Sequence, residues 1–70
     1  MRLSYHKDTD SLYIHLVERS GMEAREVASG IVVDFDANGK PVGIDIERAQ
    51  GLLDLTTLTV DSFPLQHNAA

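Results

Sequence analysis

The residues whose spacing comes closest to a known chemistry are Asp34, Asp36, Asn38, Gly39 and Asp45. Read together as Asp-x-Asp-x-Asn-Gly-x5-Asp, they match the calcium loop of an EF-hand, with Asp at the last place where Glu is usual. Such a loop supplies oxygen donors at alternate positions and a glycine at its sharp bend. It also needs a helix on either side. Here Ile31-Val-Val-Asp-Phe35 and Pro41-Val-Gly-Ile-Asp-Ile46 flank the bend, and both alternate as strands do. Asp34 and Asp36 then point to one face of a strand and do not wrap an ion. The wet face of a hairpin is the better reading, and Asp34, Asp36, Asn38 and Asp45 are metal candidates by spacing alone.

Other groupings carry less. His6 and His15 share a face with Ser4 and Tyr13, and neutral imidazole is a metal ligand or a base near neutral pH. In the hairpin register that alternation sets, His6 faces Ser11 and His15 faces Arg2, which separates the two rings. His67 lies near the end of the chain. Asp8 and Asp10 suggest an acid–base pair, but Lys7-Asp-Thr-Asp10 is better read as a turn. Gly39 and Gly43 lack the spacing and the strand-to-helix setting of a nucleotide loop. Without cysteine there is no thiol nucleophile, disulfide or thiolate metal site. No catalytic residue and no cofactor is assigned.

The elements that position these residues follow from alternation. Asn38-Gly39 suits a type I′ turn, with positive φ at both central positions. Pairing about it sets Phe35 against Val42, Val33 against Ile44 and Ile31 against Ile46, all on one face. Gly43 falls opposite Asp34, and a glycine inside a strand marks a bulge or a close approach, by a helix or a second subunit. Upstream, Arg2–His6 and Ser11–Val17 also alternate. A loop at residues 7–10 sets Tyr5 against Leu12 and Leu3 against Ile14, again on one face. Ala24–Ala28 is a further short strand, and Ser29-Gly30 a turn. Glu47–Leu53 reads as a short helix, its acidic start suiting the helix dipole. Residues 54–65 hold no single period: a sixth strand or an extended arm. Pro64 blocks a helix there. Residues 66–70 read as a frayed tail.

The expected fold is therefore α+β: a small antiparallel meander sheet of about five short strands, covered by one short helix and an extended tail. Residues 1–65 form one domain. Seventy residues bury too little surface to stand securely alone, and oligomerisation is the remedy left when disulfides are absent. Leu55, Leu58, Val60, Phe63 and Leu65 are the interface candidates, an apolar segment that the small core does not absorb. A net charge of −5 with scattered basic residues excludes non-specific nucleic-acid binding and suits a basic partner. No apolar run spans a membrane, and no signal-peptide region is evident, so the expected location is cytoplasmic.

Two blocks carry a family resemblance. Tyr5-His-Lys-Asp-Thr-Asp-Ser-Leu-Tyr-Ile14 resembles Tyr-Asp-x-x-x-Asp-x-Leu-Tyr-Ile, the opening of a small bacterial family catalogued as domain of unknown function 2283. Glu26–Ile46 is similar to its Glu-Val-x-x-Gly-Val-x-x-Asp-x-Asp-x-x-Gly-x-x-Val-Gly-Ile-Glu-Ile, and Glu47, Arg48 and Ala49 continue the likeness. His6 departs from a common Asp, and Asp45 from a common Glu. The resemblance brings no active site with it. It implies an antitoxin-like or partner-binding role, because some relatives are thought to be encoded beside small toxin-like partners. Within the blocks, Tyr5, Asp10, Leu12, Tyr13, Ile14, Asn38, Gly39 and Gly43 are structural residues. Three functions are thus expected in descending order: a homodimeric interaction module with a small protein partner, a small-ligand or metal-binding domain using the polar sheet face, and an enzyme.

Overall fold

The structure is a computed structural model, and it describes residues 1–65. The elements run β1 (Arg2–His6), β2 (Ser11–His15), β3 (Glu23–Ala28), β4 (Ile31–Phe35), β5 (Pro41–Ile46) and α1 (Ala49–Leu52). All five strands join one antiparallel sheet in the order β1-β2-β5-β4-β3. This is the α+β architecture expected, with the hairpin β1–β2 set beside the run β3–β4–β5.

The first hairpin takes the register that alternation demands: Tyr5 opposite Leu12, Leu3 opposite Ile14, His6 opposite Ser11 and Arg2 opposite His15. The central hairpin pairs Val33 with Ile44, Ile31 with Ile46 and Asp34 with Gly43, also as expected. Near its turn it departs. Phe35 pairs with Pro41 and not with Val42. Asp36 N–H donates to the Lys40 carbonyl at 2.8 Å, and Gly39 N–H to the Asp36 carbonyl at 3.0 Å. Gly39 has φ of +79°, whereas Asn38 is not left-handed. The loop is therefore a three-residue one ending in a left-handed glycine, and not type I′. The cause is Asp36, whose Oδ1 accepts the N–H groups of Asn38 and Lys40, both at 2.9 Å. The extra turn residue is taken up by a bulge at Val42, after which the expected pairs resume.

The bulge also joins the two halves. The carbonyl of Val42 accepts Leu16 N–H at 3.0 Å, continuing the β2–β5 ladder of Leu12–Ile46 and Ile14–Ile44. Beyond it the chain passes Val42 and Asp34 at Gly21, and Met22 N–H reaches the Phe35 carbonyl at 2.7 Å to start β3. One face thus collects Leu3, Tyr5, Leu12, Ile14, Ile44, Ile46, Ile31, Val33 and Phe35. At the β3 edge, the Arg25 guanidinium closes over the Phe35 ring, 4.0 Å from its centre.

The helix is shorter than Glu47–Leu53. Arg48 is left-handed, with φ of +51°, and no acidic side chain lies in the first turn, so Glu47 plays no part there. Glu47 N–H instead ties the lead-in to the Gly30 carbonyl in the β3–β4 turn, at 2.7 Å. The helix is capped from elsewhere. Asp10, in the β1–β2 turn, accepts Gln50 N–H on its carboxylate at 3.2 and 3.3 Å, and Ala49 N–H on its carbonyl at 2.9 Å. Tyr5 Oη donates to the same carboxylate at 2.8 Å, and Gln50 Nε2 donates to Tyr5 Oη at 3.0 Å. Asp10 does more than turn the chain: it supplies the cap that Arg48 does not.

Cover for the apolar face is thin. Among the described residues only Val42, Ile46 and Ala49 are buried apolar side chains, and no large one is fully enclosed. Val33 and Ile44 are half-buried. The Cα radius of gyration is 13.9 Å, against about 11 Å for a compact chain of this length. Asp54–Leu65 forms neither helix nor strand, so α1 leads into an arm and not into a sixth strand. Residues 66–70, expected to fray, lie outside the described residues. No helix among the described residues is long and apolar enough to cross a membrane.

Asp10→Ala removes a remote cap and leaves alanine at φ of +52°. Urea denaturation is expected to show a loss of about 2 kcal/mol, with Asp10→Asn costing less than half of that because Asn accepts the same bonds and tolerates the left-handed backbone. Equal losses would contradict the capping role.

Candidate functional site

Two surfaces compete for a functional role. The polar face is organised by Tyr13. From β2 its ring crosses β5 at Gly43, and its hydroxyl donates to Asp34 Oδ2 on β4 at 2.6 Å. A side chain at Gly43 would overlap the Tyr13 hydroxyl and ring. The close approach expected there is therefore made by Tyr13, and not by the helix or a second subunit. The bond to the Asp34 carboxylate, then partial burial, then the charges of Asp34 and Asp45, push the Tyr13 pKa up to about 12. A tyrosine held so firmly as the neutral hydroxyl is a brace across three strands and a poor base near neutral pH. His15 packs edge-on to it, ring centres 4.5 Å apart, and Arg2 Nη2 lies 3.3 Å from His15 Nε2. His6 stands opposite Ser11 at the other end of β2, about 13 Å along the strand. The hairpin keeps the two histidines apart.

The metal candidates are dispersed in the same way. Asp34 is engaged by Tyr13. Asp36 turns back on its own loop and receives Arg19 Nε at 3.1 Å. The Lys40 backbone N–H foremost, with that of Asn38 and the Arg19 charge, holds its carboxyl below the usual carboxylate range. Asp45 sits within β5, and Asn38 at the tip of the loop. Among the described residues no three His, Cys, Asp or Glu side chains gather to hold a metal ion.

The apolar side has the concave ground. A groove of about 500 Å³ runs between the first hairpin and the arm, walled by Leu3, Leu12, Leu53, Leu55 and Leu58 together with the polar Asp54, Thr56 and Thr57. A second, of about 630 Å³, adjoins it beside Tyr5, Gln50 and Asp54. Of the interface candidates, Leu55 and Leu58 line these grooves, while Val60, Phe63 and Leu65 project from the arm; all five are exposed. Sequence reasoning did not include Leu3, Tyr5 or Gln50 in this surface. Leu3 and Tyr5 were visible as apolar-face residues of the first strand, but their place at the sheet edge depends on β2 pairing with β5. Gln50 carried no signal.

Two expectations arise from the brace. Gly43→Ala displaces the Tyr13 ring and costs about 1–3 kcal/mol in chemical denaturation, and Tyr13→Ala in the same chain recovers part of that loss; purely additive losses would contradict the contact. The second concerns pH. Tyrosine in the unfolded chain titrates near 10, and Tyr13 in the fold near 12. The stabilisation is complete below about pH 10 and lost as pH rises towards about 12. Tyr13→Phe should flatten the alkaline decline seen in urea melts at about pH 9 and 11, and an unchanged slope would refute the assignment.

A family model matches residues 2–50, more than half of the chain. No curated protein and no solved structure matches it. The matched span holds the strands, Asp10, the Tyr13–Gly43 crossing, the Asp36 turn and the start of the helix. The chain belongs to this family, described as a protein of unknown function, DUF2283.

Proposed function

We propose that the chain is a protein-interaction module that works as a homodimer through its apolar side. One observation carries this: among the described residues, only a four-residue helix and an irregular arm are there to cover the apolar face of the five-stranded sheet. Domains are built of at least two packed layers because each sheet must bury its apolar face. A second layer is available in another copy of the same surface. Leu3 and Tyr5 on β1, Leu52 on α1 and Leu55, Leu58, Val60, Phe63 and Leu65 on the arm are all exposed, an apolar surface of the kind that marks an interface.

A small protein partner, in the antitoxin-like manner that the family resemblance implied, would bind the dimer and not the lone chain. The net charge of −5 favours a basic one. The alternative of a small ligand or metal on the polar face has less support, since the two grooves lie on the apolar side and the Tyr13 hydroxyl and Asp34 carboxylate already engage each other.

Size-exclusion chromatography with light scattering should give twice the 7.7 kDa chain mass at micromolar concentration. Leu58→Asp, which places a charge on the groove wall, should weaken the association at least tenfold without altering the sheet by circular dichroism. A chain that stays strictly monomeric at about ten micromolar would overturn the proposal.

A further inference from the structure

We infer that the two copies join edge to edge along β1, antiparallel about a two-fold axis at Ser4, so that two five-stranded sheets become one of ten strands. The inference rests on the homodimer proposed above and says where the copies meet.

An open sheet has two edges, and here they are β1 and β3. Each presents a row of backbone N–H and C=O groups to any strand laid beside it. The β3 edge carries features that discourage such pairing. Glu23, Arg25 and Glu26 are charged, and a register shift between Glu26 and Ala28 breaks its ladder. The β1 edge carries neither bulge nor proline. Its five residues pair with β2 in unbroken register, with Arg2 and His6 only at its ends. Among the described residues, no hydrogen bond from the arm or from any loop reaches the backbone of Arg2–His6. Leu3 and Tyr5 are both exposed beside that open edge.

The strand is complementary to itself. Residues directly opposite in an antiparallel pair share a face. Centring the axis on Ser4 sets Ser4 against Ser4, Leu3 against Tyr5 and Arg2 against His6 of the other copy. All five residues then find strand partners, whereas centring on Leu3 or Tyr5 leaves two of them without one. On the apolar face this makes two Leu3–Tyr5 pairs, the cross-strand contact that stabilises sheets. On the wet face the Arg2 guanidinium meets an imidazole with an acceptor nitrogen, and the small Ser4 sits on the axis. That axis runs perpendicular to the sheet, so both apolar faces stay on one side. The groove at Leu3 in one copy then adjoins the groove at Tyr5 in the other. The exposed Leu55 and Leu58 of both arm bases flank the seam. The layer over the joined sheet is thus built by two chains, each contact made twice.

The chain has no cysteine, so introduced cysteines report the register. Full-length Ser4→Cys sets two thiols directly opposite, with Cα atoms about 4.5–5.5 Å apart, within the range a disulfide spans. On oxidation it should link copy to copy. Arg2→Cys and His6→Cys lie on the same face and are exposed, but each is offset from its own counterpart by about 13 Å along the strand. Neither should link alone. Arg2→Cys chains refolded with differently tagged His6→Cys chains should link to each other. Dimers by light scattering in which Ser4→Cys fails to link would overturn the edge pairing and leave the homodimer standing. Arg2→Cys linking alone as fast as Ser4→Cys would do the same, whereas monomers of the unsubstituted chain would remove both. Ser4→Lys guards against folding failure in the cysteine chains. It sets like charges face to face at the axis, on the wet side, where a dimer closed only through apolar faces would not feel them. It should weaken dimerisation at least tenfold with the sheet intact by circular dichroism, and unchanged dimerisation would overturn the edge pairing.

Discussion

A single-layer sheet with one apolar face must find something to lie against, and this constraint governs the rest of the molecule. Nine apolar side chains from four strands share that face, yet only Ile46 among them is buried, and the one helix among the described residues adds just Ala49. Hydrophobic burial stabilises in proportion to the area removed from water, so much of the stabilisation this sequence can provide is unrealised in one copy. The half-buried state of Val33 and Ile44 at the sheet centre has the same cause.

Where apolar packing is thin, a few polar ties hold the elements. Asp10 joins the first turn, the edge residue Tyr5 and the helix start through one carboxylate and one carbonyl. Tyr13 spans three strands to reach Asp34, and Gly43 is small because the ring passes there. Asp36 closes the central turn on its own N–H groups. These residues stand in the two blocks of family likeness, and each has a structural task. Each task these residues perform is one of folding, and the blocks therefore encode a fold more than a reaction.

Alternation made the strands and both hairpins legible, because a shift of one residue would turn every apolar side chain to the wet face. It revealed less about how the hairpins meet. The β2–β5 pairing is long-range and has no local signal, and with it went the edge position of Leu3 and Tyr5. The Val42 bulge was hidden because Asn38-Gly39 suits two turn types, and Asp36 decided between them. The remote cap was hidden because Glu47 offered a nearer acidic residue, which the left-handed Arg48 places outside the helix. Glycine opposite Asp34 signalled a close approach, but the visitor is a side chain from the neighbouring strand β2, and that β2–β5 pairing has no local signal. The arm was legible as apolar and aperiodic, and the grooves it makes with the sheet depend on the Asp54 turn.

The most direct measurement is thermal unfolding of the full chain at protein concentrations spanning about two decades. When a fold is completed by a second copy, unfolding is coupled to dissociation, and the melting temperature rises with concentration by mass action. A steady rise across the range is the expected result. A melting temperature independent of concentration, with a cooperative transition at every dilution, would mean that one copy suffices and would contradict it.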